Sequence, residues 1–355
     1  MNAYLQTAQR GLAGLVMVLG TTALAGAQEL KTVNFLSVNE ASCAAFPQFA
    51  GDEFGFFAEE GLKINFLSSA TTIPYVAFLA NGDADITLLD SGQVFQAANA
   101  GQPIKVVYEA YQFAPEGIVV PAASAIQGLA DLKGKTVGLA SDRDLTTTII
   151  ALESVGVDIS EVKTVVVGDA GPTLVTSLQN GTIDAFAGSV GDRAAIEAGG
   201  VPIRNITPTA VSQTPGNSFA VWGPTLEEKR PLIQGFLRAW AKAQHAGTLD
   251  TKAVMSVCRK RVPEQWEDAD RGAYIVSYAA YNTQLRRTVK FGELQPDVWT
   301  RTQSPYIKLG EISGPLDPAT FLDGSFIDGV NTFTTDDVKR GINGWKEANP
   351  DLLIP

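Results

Sequence analysis

Residues Leu79–Leu89 read LANGDADITLL, and residues Leu178–Gly188 read LQNGTIDAFAG. Each stretch closes a helical pattern with Asn-Gly, passes an aspartate (Asp85 or Asp184) and enters a short apolar run. Glycine after asparagine accepts the left-handed backbone that stops a helix. A short apolar run without alternation reads as a strand buried on both faces. Working outward, KTVNFLSV begins at Lys31 and KTVGLAS at Lys135, each a β-rich opening to its unit. Gly61-Leu62-Lys63-Ile64 and Gly156-Val157-Asp158-Ile159 fall between these marks in the same order. The chain therefore describes one unit twice: strand, helix, strand, helix, buried strand. Strands alternating with helices predict parallel βαβ units, hence an α/β fold of two doubly wound lobes.

Two Pro/Gly segments separate the units from the rest. Ala114-Pro115-Glu116-Gly117 leaves the first lobe and Thr214-Pro215-Gly216-Asn217 returns to it. The predicted organisation is lobe one over 28–117 and 215–355, and lobe two over 118–214, with the two crossings as a two-strand hinge. After the return the pattern is helical. Thr225-x-x-Glu228 predicts a capping box, followed by an apolar stripe of Leu232, Ile233, Phe236, Leu237 and Trp240 that ends at Gly247. Further helices are expected after Pro263 and after Thr334-x-x-Asp337, packing back on lobe one with their aromatics in the core.

The N-terminus assigns a compartment. Met1–Arg10 carries one basic residue and no acid, and GLAGLVMVLGTTALAGA over 11–27 closes on Ala25-Gly26-Ala27. That is the layout of a secretory signal peptide over 1–27, with the mature chain starting at Gln28 in the periplasm. No Cys stands at the cleavage point to suggest a lipid anchor. The chain carries 27 Lys and Arg against 38 Asp and Glu, which disfavours nucleic acid and anionic membranes as partners. Cys43 and Cys258 are either a disulfide permitted by an oxidising compartment or two buried thiols, and spacing does not choose.

GFFAEEGLKINFL, LANGDADITLLDSGQVFQAANAGQPIKVV, and IQGLADLKGKTVGL with the later SVGVDISEVKTVVV resemble the substrate-binding proteins of nitrate/sulfonate/taurine-type ABC importers. That family also contains binders of pyrimidine thiamine precursors. The resemblance implies a type II periplasmic-binding fold, capture of a small-molecule solute by hinge closure, and delivery to an ABC permease with its ATPase subunits. A monomer with no cofactor and no metal is expected.

Ligands of open α/β sheets lie beyond the carboxyl ends of the strands, so candidate contacts follow predicted strands. In lobe one these are Asn39, Glu40 and Phe46 after the first strand, and Asp90 and Ser91 after DITLL, where Ser91 can cap the next helix. Tyr111 and Trp222 lie near the crossings, where they could stack on a ring or be core. In lobe two the candidates are Asp142, Arg143 and Thr146, then Asp169, then Ser189 and Asp192. Anion binders of the family place small or hydroxyl residues at the 141–144 turn. Here Asp142 or Asp144 puts negative charge there, whereas a helix N-terminus attracts an anion. The ligand is therefore expected to be nitrogen-containing or heterocyclic, with a sulfonate, taurine or nitrate as the alternative.

Catalysis finds little support. His245 is the one histidine, no G-x-S-x-G elbow or phosphate loop exists, and one His with two distant Cys makes no zinc site. The family also resembles a fungal-type pyrimidine synthase, whose iron chemistry would want clustered Cys and His. An extracytoplasmic enzyme working through the carboxylates Glu40, Asp90, Asp142 and Asp192 is the alternative class.

Overall fold

The structure is a computed structural model that describes residues 29–37, 42–68, 75–168 and 172–355. The predicted signal peptide, and the candidates Asn39, Glu40 and Asp169, lie outside the described residues. Ten strands form two five-stranded sheets. They are β1 Lys31–Ser37, β2 Leu62–Ser68, β3 Ile86–Leu89, β4 Ile104–Glu109, β5 Gly117–Pro121, β6 Thr136–Leu139, β7 Lys163–Val166, β8 Ala185–Gly188, β9 Ile203–Asn205 and β10 Ser218–Trp222. The first sheet runs β2-β1-β3-β10-β4 and the second β7-β6-β8-β5-β9. In each, four strands run one way, three of them paired in parallel, and the crossing strand, β10 or β5, enters antiparallel to both its neighbours. The two sheets are thus the same arrangement, and in each the antiparallel strand is the one that directly follows a crossing.

The repeated Asn-Gly-x-x-Asp motif has a structural reason. The Asp85 carboxylate accepts the Asn34 backbone N–H at 2.8 Å, and the Asp184 carboxylate accepts that of Thr136 at 2.8 Å. Each aspartate therefore ties the turn before its buried strand to the first strand of its unit. Gly82 and Gly181 hold φ of 79° and 67°, left-handed values that a side chain would strain. The second copy departs from the first after Gly156. A 3-10 turn at Ile159–Glu161 is inserted before β7, whereas β2 follows Gly61 at once.

Helices cover both faces of the first sheet. Phe35, Phe219, Phe236 and Trp240 are buried together, with Phe35 and Phe219 each 5.3 Å from Phe236 between ring centroids. The helix Leu226–Leu249 carries the predicted stripe but not its predicted ends. The Thr225 side chain makes no cap, and its hydroxyl donates to the Trp222 carbonyl instead. The helix also runs past Gly247, because Phe46 packs where a β-carbon at Gly247 would stand. The Thr334 and Asp337 capping box forms as expected.

The C-terminal helices pack on the first sheet and also reach the second half of the molecule. Helix Ala269–Gln284 lies against Val190–Ala198, and Tyr274 donates to Glu197 across that contact. Lys308 pairs with Glu153 at 2.9 Å. Glu109, buried in β4, accepts from the backbone and side chain of Gln295 and from the Trp299 indole, at 2.8 to 3.0 Å. This anchors helix Pro296–Lys308, whose Tyr306 and Trp299 pack on Phe95. Cys43 and Cys258 are buried free thiols in hydrogen-bonding contact with each other. No helix among the described residues is long and apolar enough to cross a membrane.

Candidate functional site

A cavity of about 710 Å³ lies between the two sheets, within the size range of small-molecule sites. Three turns that follow strands wall it, and the two crossings contribute Glu116 and Asn217. Each turn is a short polar link between a buried strand and a helix. After β3, Asp90 caps helix Ser91–Asn99, accepting from the Gln93 backbone at 2.8 Å while the Gln93 side chain accepts from the Asp90 N–H. Asp90, not Ser91, is therefore the cap. The Ser91 hydroxyl is left to meet Tyr306 Oη at 3.3 Å.

The second half uses one device twice. After β6, the Asp144 carboxylate accepts from the Ser141 N–H and hydroxyl at 2.8 and 2.9 Å. After β8, Asp192 accepts from the Ser189 N–H and hydroxyl at 2.8 and 2.7 Å. Both helix starts that face the cavity thus already hold a carboxylate of the chain's own.

Contacts cross the cavity. Arg143 stands 3.8 Å from Asp90. Glu311, from the C-terminal segment, accepts from Thr146 of the second half at 2.6 Å and from Gln96 of the first at 3.1 Å. The charged lining is Asp90, Glu116, Asp144, Asp192 and Glu311 against Arg143. Burial, reinforced by Asp90 and Asp144, pushes Glu116 up to about 8, although its own N–H and Arg193 work the other way. Burial likewise raises Asp144 to about 6 and shifts Asp90 upward.

The sequence candidates divide by place. Asp90, Ser91, Arg143, Thr146, Ser189 and Asp192 line the cavity. Asp142 is exposed beside it and absent from its wall. Phe46 is fully buried in the first core, and Trp222 stands at the far end of β10, opposite Ile104, packed against the second core. Tyr111 faces a smaller cavity of about 320 Å³ behind the crossings. Sequence reasoning missed Glu116 and Asn217, although both sit in the quoted hinge segments. It also missed Tyr75, Tyr306 and Glu311, the last two from a C-terminal segment with no repeat to guide it. Among the described residues no cluster of His, Cys, Asp and Glu suits a metal ion.

Two lobes of this topology, with a cavity at their strand ends, define the periplasmic-binding architecture. Residues 44–248 match the family described as NMT1/THI5 like, and the chain belongs to that family. It is 21% identical over 299 residues to the riboflavin-binding protein RibY of Chloroflexus aurantiacus, covering 80% of this chain and 82% of that protein. Its fold is similar to the periplasmic aliphatic sulphonate binding protein SsuA of Escherichia coli, with TM-score 0.63, 16% identity, and 81% and 91% of the two chains covered. It is also similar to the desulfurization enzyme DSZB, with TM-score 0.59, 16% identity, and 84% and 98% covered. The architecture therefore hosts binding proteins and at least one enzyme.

Proposed function

We propose that this protein is the extracytoplasmic solute-binding component of an ABC importer. It captures one small organic solute in the cavity between its lobes and hands it to a membrane permease. It works as a monomer, closing by rotation about the crossings at 110–116 and 206–217, and leaves its solute chemically unchanged. The observation that carries this reading is the cavity itself, bridged by Arg143 with Asp90 and by Thr146 with Glu311. Such bonds join the lobes only when they are shut, so a solute held between them is screened from water. The family and the fold support the same reading.

The second reading, an enzyme, has one observation in its favour: Glu116 and Asp144 are carboxyls raised toward neutrality, as general acids are. Against it, His245 lies outside the cavity beside Phe291 and Phe333, and both cysteines are buried in the core. A sulfonate or nitrate is disfavoured, because carboxylates already occupy both helix starts in the second half. A thermal-shift screen of protein freed of endogenous solute tests the proposal, with taurine, nitrate, riboflavin, pyrimidines and amines as probes. One class should raise the melting temperature, by the equivalent of about 2.7 kcal/mol at a hundredfold excess over Kd. No rise with any probe overturns it. Mass spectrometry of native protein should find Gln28 as the first residue, and retention of 1–27 overturns the proposed export.

A further inference from the structure

Resting on the solute-binding reading, we infer that the cavity selects a solute bearing a protonated nitrogen, as in an amine, amidine or guanidinium, whose N–H groups are received by Glu116 and Asn217. The argument begins with unmet hydrogen bonds. Asn217 Oδ1 and Tyr75 Oη line the cavity, are buried from solvent and have no partner among the described residues. Tyr75 is 1% exposed, so water does not readily make good the loss. A buried polar atom without a partner costs about 1–3 kcal/mol, and a ligand that meets both atoms recovers it. An amide oxygen accepts hydrogen bonds only, so what it lacks is a donor.

Charge points the same way. Asp90 has Arg143 at 3.8 Å, and Glu311, Asp144 and Asp192 each have hydroxyl or amide donors from neighbouring side chains. Glu116 has no side-chain donor among the described residues and is bonded by its own N–H alone. It stands on one crossing and Asn217 on the other, and both line the cavity, with Glu116 also bordering the smaller cavity behind, so each crossing strand contributes one unmet acceptor. An anion beside Glu116 meets its carboxyl group and the added negative charge of Asp90 and Asp144. A neutral solute satisfies Asn217 but leaves Glu116 facing Asp90 and Asp144. A protonated nitrogen satisfies both.

The seat is linked to protons. Asp90, Asp144 and Tyr111 face Glu116 with negative or neutral groups, Tyr306 stands across the cavity, and Arg193 behind the crossing is the opposing cation. In the empty cavity burial holds Glu116 up to about 8. A cation beside it favours the ionised form, so capture expels the proton. Affinity then rises with pH up to the range in which Glu116 ionises unaided.

Isothermal titration of solute-stripped protein with agmatine, putrescine, benzylamine, taurine and nitrate, at pH 6 and pH 8, tests this. At least one amine should bind more tightly than taurine or nitrate, and more tightly at pH 8 by roughly tenfold or more. Glu116→Gln should weaken that amine by roughly tenfold, about 1.4 kcal/mol, and remove most of the pH dependence, with a cooperative unfolding transition retained. Asn217→Ser should weaken it without altering the pH dependence, which keeps the test sharp if the Glu116 variant folds poorly. Failure of every amine to bind, or amine binding indifferent to both substitutions, overturns the inference. The solute-binding reading falls only if the wider thermal screen is silent as well.

Discussion

Raising the pH of the solute-free protein from 5 to 8 should destabilise it through Glu116, and Glu116→Gln should remove that part of the loss. The ordinary glutamate value is 4.5, and burial in the cavity moves Glu116 to about 8. A carboxyl raised on folding favours its neutral form in the native state. Its contribution is complete below 4.5 and is lost as pH climbs through about 8. At about 1.4 kcal/mol per pH unit, the window from pH 5 to 8 allows a ceiling on the order of 3 kcal/mol. With an unfolding entropy of about 2 cal/mol/K per residue, that is about 4 °C in melting temperature for a chain of this length. Glu109, raised to about 7, and Asp144, raised to about 6, act in the same direction. They are present in both proteins, so the difference between the two curves reports Glu116 together with its coupling to Asp144. Differential scanning calorimetry of wild type and variant, in small pH steps without solute, makes the measurement. Curves that stay parallel from pH 5 to 8 would refute the reasoning, since Glu116 would then titrate alike in the folded and unfolded chain.

Asp184→Ala should cost about 1–2 kcal/mol in urea denaturation, by freeing the Thr136 N–H. Asp85→Ala should cost more, because it also strands Lys229, now 2.5 Å from the carboxylate; equal losses contradict the assigned ion pair. Glu311→Ala should speed solute release several-fold in stopped-flow measurements, by removing the acceptor that joins Gln96 to Thr146. An unchanged release rate means that this bridge does not hold the closed form.

The fold was legible because its two halves repeat. KTV at 31 and 135, and Asn-Gly-x-x-Asp at 81 and 180, mark the same positions in two sheets of the same order. Those residues are fixed by backbone demands that recur in each unit, a glycine φ and a carboxylate on a backbone N–H of the unit's first strand. The site was legible to the extent that it lies next to a strand in sequence. Asp90, Ser141 with Asp144, and Ser189 with Asp192 directly follow buried strands. Tyr306 comes from a helix, and Glu311 from the turn after it, held in place by Glu109 on Trp299, a long-range anchor that no local pattern announces. Phe46 and Trp222 fail for the opposite reason. Aromatic rings near a strand end suit a core as well as a cleft, and only packing decides.

The central claim is that the cavity holds a solute and does not transform it. Protein and the probe that raises its melting temperature should be incubated together and freed of unbound probe by gel filtration. The bound fraction should then be released by denaturation and measured by mass spectrometry. The account predicts one equivalent per chain, recovered with its mass unchanged and with no new species growing over time. A product that accumulates beyond one equivalent would contradict it and make Glu116 and Asp144 catalytic acids.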